Sequence, residues 1–134
     1  MPCRPQSSEE TGSYYITYKA KCQSGANKLV TSCSIPANEL AVQADIEKIS
    51  LENLITGLNG ELDSQYVWMA DTLKGIGAII QLKAADVRVD FRVIVKNGTE
   101  YQLLHVCPNP VFSQEFADQY FGSFEFVGDL KKLE

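Results

Sequence analysis

Alternation of apolar and polar side chains is clearest between Asp86 and Cys107, where two such runs are joined by Asn97-Gly98. Asn-Gly is the strongest short-range signal for a two-residue hairpin turn, because both residues tolerate positive φ. Such a turn pairs Lys96 with Thr99 and fixes every other opposed pair. The pattern therefore predicts a hairpin of two strands, at residues 86–96 and 99–107.

The register of this hairpin sorts its side chains onto two faces. The predicted core face is mostly apolar and carries Val87, Val89, Phe91, Val93 and Val95 against Glu100, Gln102, Leu104 and Val106. The other face carries the charged residues and is predicted to be the wetter one. On it, Arg92 opposes Leu103, Asp90 opposes His105 and Arg88 opposes Cys107.

Periodicity predicts the remaining elements. Aromatic and β-branched residues at 13–21 and 28–35 favour two hairpin-paired strands. A 3.6-residue spacing at 39–58 favours a helix, ended by Gly57 and Gly60. Further elements are predicted along the rest of the chain: strands at 62–70 and 77–83, a helix at 114–121 capped by Ser113, and a last strand at 124–127.

These elements predict an α+β fold in the order β-β-α-β-β-β-β-α-β. A single antiparallel sheet of six to seven strands is flanked by two main helices. Residues 13–128 are expected to form one domain. Residues 1–12, rich in Pro, Ser, Glu and Gln, are expected to be a disordered lead, and residues 129–134 a charged tail.

Composition narrows the class of protein. The chain has 134 residues, of which 45% are hydrophobic and 22% charged, as expected for a soluble globular domain. The net charge is −5 and the 12 basic residues are scattered, which argues against a nucleic-acid partner. The sequence contains no run of about 18 apolar residues, so no transmembrane segment is predicted.

The first residues bear on the compartment. They lack the apolar stretch of an intact signal peptide, but a polar lead is what a removed export signal or membrane tether leaves behind. A periplasmic or secreted location is therefore expected, with the cytoplasm as the alternative. Cys3, Cys22, Cys33 and Cys107 have no metal-ligand spacing. In an exported chain one disulfide among Cys22, Cys33 and Cys107 is expected, against idle thiols otherwise.

Two clusters are candidate sites. Asp90 and His105 are directly opposed with Arg88 and Arg92 beside them, which allows a charge-assisted pair. The four residues form a candidate surface patch that is pH-sensitive or reads a ligand, with an ordinary solvated pair as the alternative. Tyr66 and Trp68 share one strand face and form a candidate aromatic site, with packing in the sheet as the alternative.

Catalytic chemistry is not indicated. His105 and Cys107 lie two residues apart on one rigid strand, too far for a thiolate–imidazole pair. Ser123 lacks the flanking glycines of a nucleophile elbow. The acidic residues form no metal cluster. No catalytic, cofactor-binding or metal-ligating residue is therefore predicted.

Several motifs between residues 40 and 126 recur together in one group of proteins. A helix ends in a glycine-containing turn at 54–60, a glycine precedes a later strand, an arginine-bearing hairpin contains Tyr-Gln-Leu, and a final helix closes on an aromatic-aromatic-x-Ser-Phe motif. The residues that carry these motifs are Gly75 or Gly77, Arg88, Arg92, Tyr101-Gln-Leu103 and Tyr120-Phe-Gly-Ser-Phe124. In these motifs the chain resembles the Mog1/PsbP-like superfamily, in particular its small bacterial members of unassigned role.

The resemblance implies a sheet flanked by helices and a non-enzymatic role. Better-known relatives assist assembly of a photosynthetic complex or bind a small GTPase, but none of their functional residues can be matched here, and a shared fold is weak support for function.

Two functions are therefore expected as alternatives. The first is a protein-interaction or assembly-accessory domain of the bacterial cell envelope, with an unidentified protein partner and no cofactor. The second is a small-ligand-binding module, or less favourably an enzyme, with a pocket between sheet and helix near Tyr66, Trp68 and the Arg88/Arg92/His105 face. An exposed apolar patch favours the first, and a concave aromatic pocket with converging polar groups favours the second.

Overall fold

The computed structural model describes residues 6–11, 15–36 and 46–124. Seven strands and two α-helices follow one another along these residues, with a short 3-10 turn before the second helix. They are β1 (Gln6–Thr11), β2 (Tyr15–Ser24), β3 (Asn27–Pro36), α1 (Ile46–Leu58), β4 (Glu61–Ala70), β5 (Leu73–Leu82), β6 (Val87–Lys96), β7 (Thr99–Pro108), the turn Asn109–Val111 and α2 (Gln114–Gly122). The predicted α+β fold is confirmed.

All seven strands belong to one antiparallel sheet with the order β1-β2-β3-β7-β6-β5-β4. The hairpin of β6 and β7 has the predicted register, with Lys96 opposite Thr99 and Asp90 opposite His105. Asn97 and Gly98 take φ values of 53° and 80°, which the two-residue turn requires. β3 pairs with β7, which is distant from it in the sequence. This pairing places the first three strands beside the central hairpin.

The ends of the chain differ from the prediction in part. Residues 6–11, expected within a disordered lead, form β1 and pair with β2 from Gln6 opposite Lys21 to Thr11 opposite Ile16. A polar segment can add to a sheet in this way because the ladder is made by backbone groups. Phe124 is not in a strand, and the rest of the predicted last strand, the tail and residues 39–45 of the first predicted helix lie outside the described residues.

Two helices pack on opposite faces of the sheet and make two cores. On the predicted core face, Leu51 of α1 packs against a cluster that includes Val89 and Phe91. On the other face, Ala117, Tyr120 and Phe121 of α2 pack against buried residues of five strands. The strand residues are Cys22, Leu29, Trp68, Ile94 and Leu103.

The prediction that this second face is wet is therefore wrong. Asp90 is 4% exposed and His105 is 1% exposed, because α2 and the turn before it cover them. The end of α1 also differs from the prediction: Gly57 lies within the helix, and Asn59 takes the left-handed conformation at φ 51°.

Candidate functional site

A groove of about 740 Å³ lies on the α2 side of the sheet, where β1, β2, β3 and β7 extend beyond the helix. Its lining is mainly apolar and aromatic, with serine and threonine between the aromatic side chains. A cavity of this volume is in the range of small-molecule sites. We refer to it as the tyrosine groove, after Tyr18, Tyr101 and Tyr120 in its lining.

The floor of the tyrosine groove consists of two rows of side chains that run across the four strands. The pairing of the strands places Glu9, Tyr18, Cys33 and Tyr101 in one row and Ser7, Ala20, Thr31 and Leu103 in the other. The second row is made mostly of short side chains, so the floor is lower there. Three inter-strand spacings give the groove a length of about 14 Å.

The end of α2 closes the groove through Tyr120, Ser123 and Phe124. The Tyr120 hydroxyl donates to the Val30 carbonyl oxygen at 2.8 Å and lies 3.0 Å from the Thr31 hydroxyl, which can donate to it in turn. Burial raises the pKa of this phenol to about 12, although the bond from Thr31 opposes the shift. Tyr120 is thus a fixed, neutral part of the wall.

Cys33 contributes a half-buried free thiol to the floor. Burial raises the pKa of this thiol. The pKa of Tyr101 beside it is raised by burial and then by the negative charge that Cys33 carries once it has ionised. Since the thiolate is the nucleophilic form, Cys33 is held in its unreactive form at neutral pH.

The expected disulfide among Cys22, Cys33 and Cys107 is not formed in that set. Cys33 and Cys107 are free thiols. Cys22 is disulfide-bonded, but to neither of these two cysteines. Cys107 lies buried on β7, where its Cβ shares a face with His105 and Asp90. Its pKa is raised by burial and then by the charge of Asp90.

The predicted Arg88–Asp90–His105 cluster exists, but it is a buried polar cluster and not a surface patch. Arg88 Nε donates to Asp90 Oδ1 at 2.7 Å, and the guanidinium lies 4.0 Å from the centre of the Phe112 ring. His105 lies between Phe112 and Phe116, with ring centroids at 5.9 and 5.5 Å. Because these rings enclose the imidazole, it has no open side from which to act on a substrate.

Asn27 determines the orientation of the imidazole. Its amide nitrogen donates to the Ser24 carbonyl at 3.2 Å, so its Oδ1 is the atom that lies 2.7 Å from His105 Nε2. Nε2 must therefore carry a proton and donate it. Nδ1 then faces Asp90 Oδ2 at 3.7 Å, beyond hydrogen-bond distance, and has no hydrogen-bond partner.

Arg92 joins the predicted aromatic site instead of the His105 cluster. Its guanidinium lies 4.1 Å from the centre of the Phe121 ring and 5.8 Å from that of Trp68, and its Nε donates to the Tyr66 hydroxyl at 3.1 Å. Trp68 is buried and packs against Phe124 with a centroid distance of 5.3 Å. The predicted pocket near Tyr66 and Trp68 is thus largely filled by α2, and a cleft of about 520 Å³ remains beside the end of β4.

Gly77 lies beneath the Tyr66 ring, and a Cβ atom at this position would overlap with ring carbons. We expect Gly77→Ala to push the ring outward, break its bond with Arg92 and lower the free energy of unfolding by about 1 kcal/mol. Urea denaturation measures the loss, and the aromatic NMR signals of Tyr66 report the displacement. Gly57→Ala is the control, because its Cβ would meet nothing within 4 Å. Equal stabilities of wild type and Gly77→Ala would contradict the expectation.

Sequence reasoning placed the charged cluster correctly along the hairpin but missed the tyrosine groove. The groove depends on β1 and on the pairing of β3 with β7, and neither is visible in local patterns. Tyr18 and Ala20 are two residues apart and share one face of β2, and Thr31 and Cys33 share one face of β3 in the same way. The sequence shows this sharing within each strand. The rows across the strands can be identified only when the pairing of neighbouring strands is known.

The described ranges contain no group of three or more His, Cys, Asp or Glu side chains that could hold a metal ion. None of the helices in those ranges has the length and apolar character needed to cross a membrane. The resemblance to the Mog1/PsbP-like superfamily stays a prediction. The chain matches no family model, no curated protein and no solved structure.

Proposed function

We propose that the protein is a non-enzymatic binding domain of the bacterial cell envelope and that its tyrosine groove holds a neutral, elongated, largely apolar small molecule. The observation that carries this proposal is the groove itself, about 740 Å³ in volume, with aromatic side chains around a floor of short ones. Of the two function classes expected from the sequence, a concave aromatic pocket favours ligand binding.

The chemistry of the lining supports a neutral ligand. Glu9 and Lys19 are the charged residues among the described ones that line the groove. Lys19 lies between Tyr18 and Ala20 and therefore belongs to the other face of its strand, so Glu9, on the outer strand, is the one charged side chain of the two that faces the groove. The aromatic rings of Tyr18, Tyr101 and Phe124 offer flat apolar surfaces with hydroxyl groups at two of their edges. A groove about 14 Å long fits an extended molecule better than a compact one.

The absence of an activated group among the described residues supports binding without catalysis. Cys33, the thiol in the groove, is held neutral by burial. His105 is 1% exposed, and the register places it on β7 beyond the two rows of the floor. General acid–base catalysis needs a group within hydrogen-bond reach of the ligand, and His105 is not in the lining.

The cell-envelope location rests on a separate observation. Cys22 is disulfide-bonded, and disulfides persist in oxidising compartments such as the periplasm. The resemblance to small bacterial Mog1/PsbP-like proteins supports the bacterial part of this proposal.

Titration with the neutral fluorescent probe N-phenyl-1-naphthylamine tests the groove. We expect saturable binding to the wild type and at least tenfold weaker binding to Ala20→Phe, because the new ring fills the low row of the floor. Lys21→Phe is the matched control, since Lys21 neighbours Ala20 in the chain but points to the other face of the sheet. Circular dichroism and thermal melting confirm that both variants fold.

The proposal fails if the wild type does not bind the probe. It also fails if Ala20→Phe binds as tightly as the wild type, or if Lys21→Phe loses binding to the same extent. The second function class, protein interaction, is favoured by an exposed apolar surface on β4, where Val67 is 66% exposed and Met69 is 50% exposed.

A further inference from the structure

Another, smaller cavity lies on the opposite face of the sheet from the tyrosine groove, between the start of α1 and the strands β2, β3 and β7. Its volume is about 240 Å³, which is below the range of drug-sized sites but large enough for a molecule of a few heavy atoms. We refer to it as the Glu100 cavity, after the acidic residue in its lining.

The strands supply a row of polar side chains to the Glu100 cavity. The pairing of β7 with β3 and of β3 with β2 aligns Glu100, Ser34 and Thr17 across the sheet. The hydroxyl oxygens of Ser34 and Thr17 lie 2.9 Å apart, so one hydroxyl donates to the other and both keep lone pairs that can accept further bonds. The row therefore offers oxygen acceptors over about 10 Å, the width of two inter-strand spacings.

The helix α1 supplies both apolar and polar side chains to the same cavity. Ile46, Ile49, Ser50 and Asn53 are in the lining, and their spacing of three and four residues places them on one face of the helix. Ile46 is buried and Ile49 is exposed, so the apolar part of the lining extends from the interior to the surface. The cavity thus combines a polar floor with an apolar wall.

Glu100 is buried without a cationic partner among the described residues. It is 6% exposed, and a buried carboxylate is costly unless it is bonded or paired. The Ser50 hydroxyl donates to its Oε1 at 2.7 Å, and the Gln102 side-chain amide donates to the same oxygen. Oε2 receives no hydrogen bond from the described residues, and none of the ion pairs among them includes Glu100. One oxygen of this carboxylate is therefore left for a ligand.

The charges around the cavity favour a cationic ligand. Glu47 on α1 is half-buried, and its pKa is raised by burial and then by the negative charge of Glu100, although a bond with the Val95 backbone opposes the shift. Lys19 belongs to the same face of the sheet, in the row next to Thr17, but is not in the lining. Among the described residues the lining contains no lysine or arginine, so a positive group is the one that its charge attracts.

We propose that the Glu100 cavity binds a primary ammonium group carried on a short alkyl chain. The three N–H donors of an ammonium match Oε2 of Glu100 and the side-chain oxygens of Ser34 and Asn53, and the alkyl chain matches Ile46 and Ile49. A guanidinium would use both carboxylate oxygens for its paired bonds, and Oε1 already accepts two. This site lies across the sheet from the tyrosine groove and does not depend on the function proposed for that groove.

Titration with n-butylammonium chloride, followed by two-dimensional NMR of the ¹⁵N-labelled full chain, tests the site. We expect saturable shifts of the Ser50 and Asn53 amide signals in the wild type. Binding to Glu100→Gln should be at least tenfold weaker, because the substitution keeps the shape of the side chain and removes its charge. Glu115→Gln is the matched control, since it removes the same charge from the exposed start of α2. n-Butanol, which is uncharged and of similar length, should also bind at least tenfold more weakly than n-butylammonium.

Asn53→Leu tests the same site without a change at the buried carboxylate. Asn53 is exposed on α1, and leucine is a good helix former, so this variant should fold. We expect at least threefold weaker binding of n-butylammonium, because the substitution removes an acceptor from the lining and narrows the cavity. Thr56→Leu, which is exposed one turn further along α1 and outside the lining, should bind like the wild type.

The proposal is overturned if n-butylammonium causes no saturable shifts in the wild type, or if n-butanol binds as tightly. Equal binding by the wild type and a folded Glu100→Gln overturns it too. If Glu100→Gln does not fold, equal binding by Asn53→Leu and Thr56→Leu has the same consequence. Shifts confined to the lining of the tyrosine groove would place the amine there and also contradict the proposal. The binding of N-phenyl-1-naphthylamine reports on the tyrosine groove alone, so failure at one site is distinguishable from failure at the other.

Discussion

Replacement of Asp90 by alanine should lower the free energy of unfolding by about 3 kcal/mol, because it removes the acceptor from a buried polar cluster. The Asp90 side chain is 6% exposed, and it accepts a bond of 2.7 Å from Arg88. It also faces Nδ1 of His105, which has no hydrogen-bond partner of its own. Without the carboxylate, the guanidinium loses its bond with Asp90, and the buried imidazole loses the carboxylate that faces it.

The expected loss is at the lower end of the range for broken buried ion pairs because the Arg88 side chain is partly in contact with solvent. Its side chain is 21% exposed, so solvent screens some of the charge once Asp90 is gone. The contact of its guanidinium with Phe112, at 4.0 Å, remains. His105 has no such route to water, since its side chain is fully buried.

Urea denaturation of Asp90→Ala beside Asp118→Ala measures this difference. Asp118 accepts a bond of comparable length, 2.9 Å from Gln114, but does so on the exposed face of α2. We expect a change of less than about 0.5 kcal/mol for Asp118→Ala, as for most surface substitutions. Similar losses in the two variants, at equal denaturant dependence, would show that burial does not set the value of the Asp90 bonds.

The β6–β7 hairpin was predictable because its information is local. Asn97-Gly98 selects the turn, the turn selects the register, and the register places Asp90 opposite His105. Whether that face is wet or buried depends on α2, which returns to the sheet from later in the chain. The charges of Arg88 and Asp90 suggested solvent, but these two groups partner each other beneath aromatic rings, so they can be buried together.

The tyrosine groove could not be predicted for a related reason. Its floor joins residues of β1, β2, β3 and β7, and the row from Glu9 to Tyr101 exists only after β3 pairs with β7. Strand pairing over such a separation is decided by the burial of whole faces and not by a turn motif. The polar composition of residues 6–11 predicted disorder, so β1, the strand that forms the outer side of the groove, was not predicted.

Above pH 10 the stability of the protein should fall because of Tyr120. The phenol has its ordinary pKa of 10.0 in the unfolded chain and a pKa of about 12 in the folded one. Below pH 10 both states are protonated, so the contribution of the buried neutral phenol is fully present. As pH rises towards 12, the unfolded chain releases the proton while the folded chain keeps it, and the stability contribution is lost. Two pKa units correspond to about 2–3 kcal/mol.

Comparison of the wild type with Tyr120→Phe isolates this contribution from other groups that titrate at high pH. At pH 8 the variant should be less stable by about 1 kcal/mol, because it lacks the bonds with Val30 and Thr31. Near pH 12 the order should reverse, since the phenylalanine has no proton to lose. Tyr18→Phe, which removes a phenol that is 44% exposed in the same groove, is the matched control for the loss of a tyrosine hydroxyl. A difference between wild type and Tyr120→Phe that does not change with pH would mean that the phenol ionises as easily in the folded protein as in the unfolded chain, and the wall of the groove would then be open to water at this residue.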